Sequence, residues 1–204
     1  MLTYLNKSDT AILVLHEIYG INQHIKDMCL SLSRHGFDVF APNMLQGGNI
    51  FDYDQEDVAY ANFFDCIGFK KALGQVNVLL SQIRNNYKTI FVVGFSVGAT
   101  IAWLCSETPD LCDGVIGFYG SRIRDYLKIE PKCPVLLIVA GKEKSFNISE
   151  FMEIMAAKKN VYVKQVSGSH GFTNPSSPYY DEHSAYQAYN DMILFINNNI
   201  LSCH

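Results

Sequence analysis

The segment GFSVG, from Gly94 to Gly98, places a serine between two glycines where the sequence changes character. The residues before it, TIFVV, are apolar and β-branched and predict a buried strand, whereas the residues after it, ATIAWL, predict a helix. A serine on such a strand-to-helix turn is typical of a nucleophile elbow, which lifts the hydroxyl above the end of the strand. The pattern predicts nucleophilic catalysis by Ser96, although an ordinary glycine-containing turn can have the same sequence.

A serine hydroxyl reacts only when a base takes its proton, and an acid commonly orients that base. The candidate base is His170, in the segment SGSHGFT directly after the last predicted strand. The candidate acid is Glu143, the first carboxylate after the strand PVLLIVAG, which keeps the chain order serine, acid, histidine. Because a lysine–glutamate–lysine turn is usually solvated surface, Glu150 stays open as the alternative acid.

The segment LHEIYG follows the first core strand, where a second oxyanion donor is expected. The backbone N–H groups of Ile18 and Val97 are therefore predicted to bind the negative oxygen that develops during acyl transfer. Glu17 lies beside them, and two interpretations of it stay open. It either anchors its loop by accepting backbone hydrogen bonds, or it faces Ser96 and contacts the nucleophile.

The histidines outside the predicted site suggest no metal chemistry. His16 and Glu17 begin an HExxH-like pattern, but Gly20 stands where the second histidine is needed, so neither a metal nor a cofactor is expected. His16 is interpreted as bracing its own loop by hydrogen bonds. Four further histidines lie in helical or tail contexts and are interpreted as solvated: His24, His35, His183 and His204.

Short apolar segments alternate with longer segments of helical periodicity along the whole chain. The predicted strands begin at Ala11, Phe37, Thr89, Gly114, Pro134 and Val161. Several of them are apolar on both faces, which indicates a parallel sheet covered by helices on both sides. The fold class is therefore α/β, with a doubly wound sheet.

Glycines and a capping residue mark the predicted helix boundaries. The first helix is expected to follow Asn22, which suits an N-cap, and to stop at Gly36. The long helical segment after the second strand is expected to break or bend at Gly68 and Gly74.

Composition limits the class of protein. The 204 residues are 49% hydrophobic and are expected to form one domain, residues 1–204. The formal net charge of −4 argues against nucleic acid or an anionic membrane as partner, and it specifies no oligomeric state. The N-terminal segment is interpreted as a first strand and not as a signal peptide, and the six cysteines are interpreted as reduced, buried thiols. These features favour a cytoplasmic location.

Five segments together resemble the dienelactone hydrolase family of α/β-hydrolases: LHEIYGIN, GFDVFAPN, GFSVGA, GFYG and the segment from SGSHGF to DMILFI. The resemblance implies a doubly wound, mostly parallel sheet of about eight strands, flanked by helices on both faces and without a large lid domain. It also implies hydrolysis of an ester or lactone, and it assigns to Glu17 an interaction with the nucleophile.

The sequence departs from the family pattern at three places. Ser96 replaces the usual cysteine nucleophile, and Glu143 replaces the usual aspartate. The family enzymes that act on dienelactone hold its carboxylate with two arginines, whose matching positions here are Glu56 and Asn174. Neither residue can clamp an anion as a guanidinium does, so dienelactone itself is not the expected substrate.

These observations predict a serine hydrolase that cleaves small carboxylic esters or lactones through an acyl-enzyme. Tyr60, Tyr119 and Phe172 are expected to line the substrate pocket, although packing within its helix explains Tyr60 equally well. Two alternatives stay open: an acyltransferase or thioesterase with the same triad, and a catalytically silent binding protein with the same fold.

Overall fold

The computed structural model describes residues 1–143 and 145–202, and a seven-stranded sheet lies at its centre. The strands are β1 (Leu2–Tyr4), β2 (Thr10–Leu15), β3 (Asp38–Ala41), β4 (Thr89–Phe95), β5 (Gly114–Phe118), β6 (Val135–Val139) and β7 (Val161–Gln165). Their order is β1-β3-β2-β4-β5-β6-β7. Strand β1 is antiparallel to β3, and every other pair of neighbours is parallel.

Helices cover both faces of this sheet. They are α1 (Gln23–Arg34), α2 (Glu56–Cys66), α3 (Gly68–Ile83), α4 (Val97–Cys105), α5 (Ile148–Ala156) and α6 (Glu182–Ser202). Successive strand side chains point to opposite faces, so Leu13 belongs to the core cluster that also contains residues of α2 to α5, while Ile12 and Val14 belong to the cluster that contains residues of α1 and α6. The structure therefore has the predicted doubly wound α/β architecture, and each helix of its described residues packs against the sheet or against a neighbouring helix.

The pattern of burial explains why the strands were recognisable. All residues of β2 to β6 are buried, as expected for parallel strands between two helical layers. The six predicted strands are confirmed, but the expected single first strand is two strands, β1 and β2. The chain turns between them, and Lys7 adopts a positive φ of 60° there.

The predicted helix boundaries are confirmed except at one glycine. The side chain of Asn22 accepts a hydrogen bond from the Ile25 amide and caps α1. Gly68, with φ +66°, is the first residue of α3, directly after the break between α2 and α3. The expected break at Gly74 is wrong, because α3 continues through it: a helix interior tolerates a glycine when neighbouring turns pack against the core.

The cysteine prediction is largely confirmed. Cys29, Cys105, Cys112 and Cys133 are buried free thiols, Cys66 is exposed, and Cys203 lies outside the described residues. Among the helices of the described ranges, none has the length and apolar character needed to cross a membrane.

Candidate active site

The carboxyl ends of the parallel strands bring the three candidate residues to one edge of the sheet. Ser96 directly follows β4, Glu143 follows β6 and His170 follows β7. Loops after neighbouring parallel strands lie side by side at such an edge, which is where ligands bind in open α/β sheets.

The turn at Ser96 has the strained geometry of a nucleophile elbow. Its φ of 53° and ψ of −112° are unusual for a residue with a side chain. Its own backbone N–H donates to the Phe118 carbonyl at 3.0 Å, which fixes the turn against β5. A Cβ on Gly98 would lie 2.3 Å from the Leu15 carbonyl oxygen, so only glycine lets α4 approach β2 this closely. A Cβ on Gly94 would lie 2.2 Å from the carbonyl oxygen of Gly98, so the strand and the helix meet there without side chains.

The structure brings the three side chains into one hydrogen-bonded chain. Nε2 of His170 lies 3.0 Å from Oγ of Ser96, and Nδ1 of His170 lies 2.6 Å from Oε1 of Glu143. A carboxylate only accepts, so Nδ1 carries the proton and Nε2 accepts from the serine hydroxyl. Glu150 is exposed in the first turn of α5 and takes no part in these hydrogen bonds.

Backbone contacts hold the loops of Glu143 and His170 together. The Gly141 amide donates to the Gly168 carbonyl at 2.8 Å, and Lys142 forms a parallel bridge with Ser169. The two loops thus continue the pairing of β6 with β7 for a few residues beyond the strands. The carboxylate and the imidazole are neighbours because of this pairing.

Tyr119 and Phe172 were expected to line the substrate pocket, but the structure buries both side chains. Tyr119 is 2% exposed and Phe172 is fully buried. The Tyr119 ring packs 5.0 Å from the His170 ring and 5.3 Å from Phe172, and its hydroxyl is 2.6 Å from Oγ1 of Thr173. Both aromatic side chains therefore support the histidine loop from beneath, because an apolar anchor fixes a loop that lacks secondary structure.

Glu17 is buried, and its carboxylate is bound by a tyrosine. The hydroxyl of Tyr53 donates to Oε2 of Glu17 at 3.2 Å, and the side-chain amide of Asn174 donates to the same hydroxyl. Burial and the nearby carboxylate raise the pKa of Tyr53, so its phenol stays protonated as a donor. Within the described residues, Glu17 and Ser96 form hydrogen bonds with different partners. The contact predicted between Glu17 and Ser96 therefore remains a prediction.

Two buried histidines lie behind this loop. His16 donates from Nδ1 to the Glu17 carbonyl at 2.5 Å and accepts from the Met44 amide at Nε2, as the bracing interpretation predicts. Burial lowers the pKa of His16 to about 4, so the ring is neutral. The interpretation of His24 as solvated is wrong: it lies on the inward face of α1, with Nδ1 4.0 Å from Oε2 of Glu17. His204 lies outside the described residues.

Ser96 and His170 lie in a cleft of about 750 Å³. The residues proposed as oxyanion donors, Ile18 and Val97, also line it, and Val97 begins α4, so its N–H has no acceptor within the helix. Tyr60 lines the cleft as expected. Glu56 lines it too, whereas Asn174 is only 1% exposed and points its amide to Tyr53.

Several cleft residues were not predicted from the sequence: Tyr19, Tyr53, Phe64, Arg122, Lys142 and Tyr179. Two signals point to some of them. Phe64 lies four residues after Tyr60 and therefore on the same helix face, and Arg122 and Lys142 closely follow the carboxyl ends of β5 and β6. The sequence around Tyr53 carries no such signal.

The parallel sheet and its strand–serine–helix elbow define an α/β-hydrolase. The chain belongs to the dienelactone hydrolase family, whose profile matches residues 2–200, and the resemblance inferred from the motifs is thereby confirmed. The protein is therefore a hydrolase.

The chain is also similar to individual proteins and to solved structures of the same fold. The chain is 38% identical over 173 residues to the uncharacterized protein YczH of Bacillus subtilis strain 168, covering 83% of this chain and 84% of that protein. It is 30% identical over 202 residues to protein usf of Aquifex pyrophilus, covering 90% and 86%. The crystal structure of the dienelactone hydrolase-like promiscuous phosphotriesterase P91, from metagenomic libraries, superimposes with a TM-score of 0.74 at 17% identity, covering 93% of this chain and 86% of P91.

Proposed function

We propose that this protein is a serine hydrolase that cleaves small carboxylic esters or lactones through an acyl-enzyme. The observation that carries this proposal is the 3.0 Å contact between Oγ of Ser96 and Nε2 of His170 on the wall of the cleft. A hydroxyl and an imidazole at this distance can exchange a proton directly. The cleft volume suits a small molecule.

In the acylation step, His170 takes the proton of Ser96 while Oγ attacks the carbonyl carbon of the substrate. The imidazolium that forms is stabilised by Glu143, whose carboxylate is 2.6 Å from Nδ1. The tetrahedral intermediate then collapses, and Nε2 returns the proton to the departing alkoxide oxygen. The products of this step are an alcohol and an acyl group bonded to Oγ; a lactone leaves its alcohol attached to that acyl group.

The negative oxygen of the intermediate requires hydrogen-bond donors. We assign this role to the backbone N–H groups of Ile18 and Val97, because both residues line the same cleft as Ser96 and Val97 directly follows it. The Val97 amide also lies at the N-terminus of α4, where the helix dipole favours negative charge. Loss of one such donor typically lowers kcat by about 10²- to 10³-fold.

Deacylation repeats the chemistry with water as the nucleophile. His170 takes a proton from water, the hydroxide attacks the acyl carbon, and the proton passes to Oγ as the acid departs. Dienelactone itself is not the proposed substrate. Glu56 and Asn174 occupy the positions where the family's dienelactone enzymes carry arginines, and Asn174 is engaged with Tyr53.

Labelling with a fluorophosphonate probe and turnover of p-nitrophenyl acetate test the proposal together. We expect wild type and the exposed control variant Ser149→Ala to be labelled and active, and Ser96→Ala to be neither. Labelling that persists in Ser96→Ala would refute the assigned nucleophile. Wild-type protein that is neither labelled nor active would instead identify a binding protein. Measuring acetate released against acetate transferred to an added alcohol or thiol distinguishes a hydrolase from an acyltransferase.

A further inference from the structure

One face of α2 forms a wall of the cleft. Glu56, Tyr60 and Phe64 are spaced four residues apart, and all three line the cavity. The rings of Tyr60 and Phe64 are stacked, with centroids 4.2 Å apart and planes inclined by 29°. We call this pair of rings the aromatic platform.

Neighbouring side chains hold the aromatic platform in place. Nη2 of Arg122 donates to the Tyr60 hydroxyl at 2.8 Å, and its guanidinium carbon lies 5.5 Å from the centre of the Phe64 ring. Phe63 and Phe69 contact Phe64 edge-on, at 5.2 and 5.8 Å. Because these contacts fix the rings before a ligand arrives, binding against them costs little conformational entropy.

The platform leaves aromatic surface open within the cleft. Tyr60 remains 43% exposed despite its stacking on Phe64. Three more aromatic residues line the same cleft: Tyr19, Tyr53 and Tyr179. Open aromatic surface in a concave site binds planar apolar groups favourably, through both buried area and ring–ring contact.

We propose that the aromatic platform binds a planar aromatic ring of the substrate, so that esters carrying such a ring are preferred over saturated esters of equal size. Tyr60 and Phe64 supply the binding surface, and Arg122 acts as a positioning residue that holds the Tyr60 ring. The preference for a class of ester rests on the proposed hydrolase function, whereas ring binding itself requires no turnover.

Benzyl acetate and cyclohexylmethyl acetate form a matched pair of substrates. They share the acyl group and a primary alcohol leaving group, and they differ mainly in the planarity and π-electrons of the ring. We expect wild type to favour benzyl acetate in kcat/KM by about two- to tenfold for each ring contact made. Phe64→Leu and Tyr60→Leu should bring the ratio of the two kcat/KM values toward one, chiefly through the KM for benzyl acetate.

Two further variants complete the comparison. Arg122→Met keeps the apolar stem but removes the hydrogen bond to Tyr60, and it should also lower the ratio. Val58→Ala is the control, because Val58 is 58% exposed on the same helix and lies outside the cleft wall. It should leave the ratio unchanged. Equal kcat/KM values for the two esters in wild type would overturn the proposal.

Binding to Ser96→Ala separates this inference from the proposed function. We expect ligand-observed NMR titrations to give a lower Kd for benzyl acetate than for cyclohexylmethyl acetate, and Phe64→Leu in the same background to remove the difference. If wild type hydrolyses neither ester while this difference in Kd persists, the proposed function fails and the platform stands. If the esters are hydrolysed but bind and react alike, the platform fails and the hydrolase stands.

Discussion

Nδ1 of His170 donates a 2.6 Å hydrogen bond to Oε1 of Glu143, whose side chain is only 7% exposed. A glutamine at position 143 would keep the size but offer an amide in place of a carboxylate oxygen. It would no longer stabilise an imidazolium, and it would favour the wrong ring tautomer. We expect Glu143→Gln to lower kcat for p-nitrophenyl acetate by about 10³- to 10⁴-fold.

Glu150→Gln is the matched control for this acid, because Glu150 is exposed and begins α5. Its kcat should equal that of wild type. Loss of activity in Glu150→Gln alone would show that the acid has been assigned to the wrong residue.

The close approach of α4 to β2 makes Gly98 irreplaceable. An alanine Cβ would lie 2.3 Å from the Leu15 carbonyl oxygen, which is backbone and cannot move aside cheaply. We expect Gly98→Ala to lower the free energy of unfolding by more than about 2 kcal/mol, or to prevent folding. Urea denaturation followed by circular dichroism measures this change.

Gly74→Ala, measured by the same urea denaturation, should change stability in the opposite direction. Gly74 lies inside α3, and a Cβ there would meet nothing within 4 Å. Alanine is the better helix former, so Gly74→Ala should raise the free energy of unfolding by about 0.5–1 kcal/mol. If Gly98→Ala left stability unchanged or raised it, the packing described for α4 would be wrong. If Gly74→Ala lowered it, the open surroundings described for Gly74 in α3 would be wrong.

The Tyr53 hydroxyl connects the loop of Glu17 with the loop of Asn174. Tyr53→Phe removes that hydroxyl and leaves a buried carboxylate and a buried amide each without this partner. We expect the free energy of unfolding at pH 7 to fall by about 1–3 kcal/mol. Tyr186→Phe, at a tyrosine that is 70% exposed on α6, should leave it unchanged. Equal stability of the two variants would show that the hydroxyl of Tyr53 contributes nothing to the fold.

His16 makes stability depend on pH. Its pKa is about 4 in the folded protein, against 6.5 for an unperturbed histidine, so unfolding takes up a proton between these values. Above pH 6.5 the ring is neutral in both the folded and the unfolded protein, and the free energy of unfolding keeps its full value. As the pH falls from 6.5 toward 4, protonation of the unfolded protein lowers this free energy by up to about 1.4 kcal/mol per pH unit.

His16→Gln removes this proton uptake. Urea denaturation between pH 7 and 4.5 should therefore show a shallower decline of unfolding free energy than in wild type. The contribution of the buried His24, whose pKa is also lowered by burial, is common to both proteins. Identical slopes would show that His16 does not couple protonation to folding.

Much of this architecture followed from local signals. Buried parallel strands have apolar residues on both faces, so β2 to β6 were visible as continuous apolar segments. The short edge strand β1 was not separated from β2, because three half-exposed residues carry too little pattern. Gly68 and Gly74 show the same limit. Both are glycines in one helical segment, yet α3 begins at Gly68 and continues through Gly74, and only the packing of α3 decides this difference.

The sequence by itself determined the buried strands β2 to β6, the family and the candidate residues Ser96, Glu143 and His170, because the strand–serine–helix elbow and the order of the loops are local properties of the chain. Tertiary structure alone decided which side chains face the cleft. Tyr119 and Phe172 turned inward beneath the histidine loop, whereas Arg122 and Phe64 came to the cleft wall. The physical reason is that a side chain's surroundings depend on contacts between segments far apart in sequence, which local periodicity does not encode.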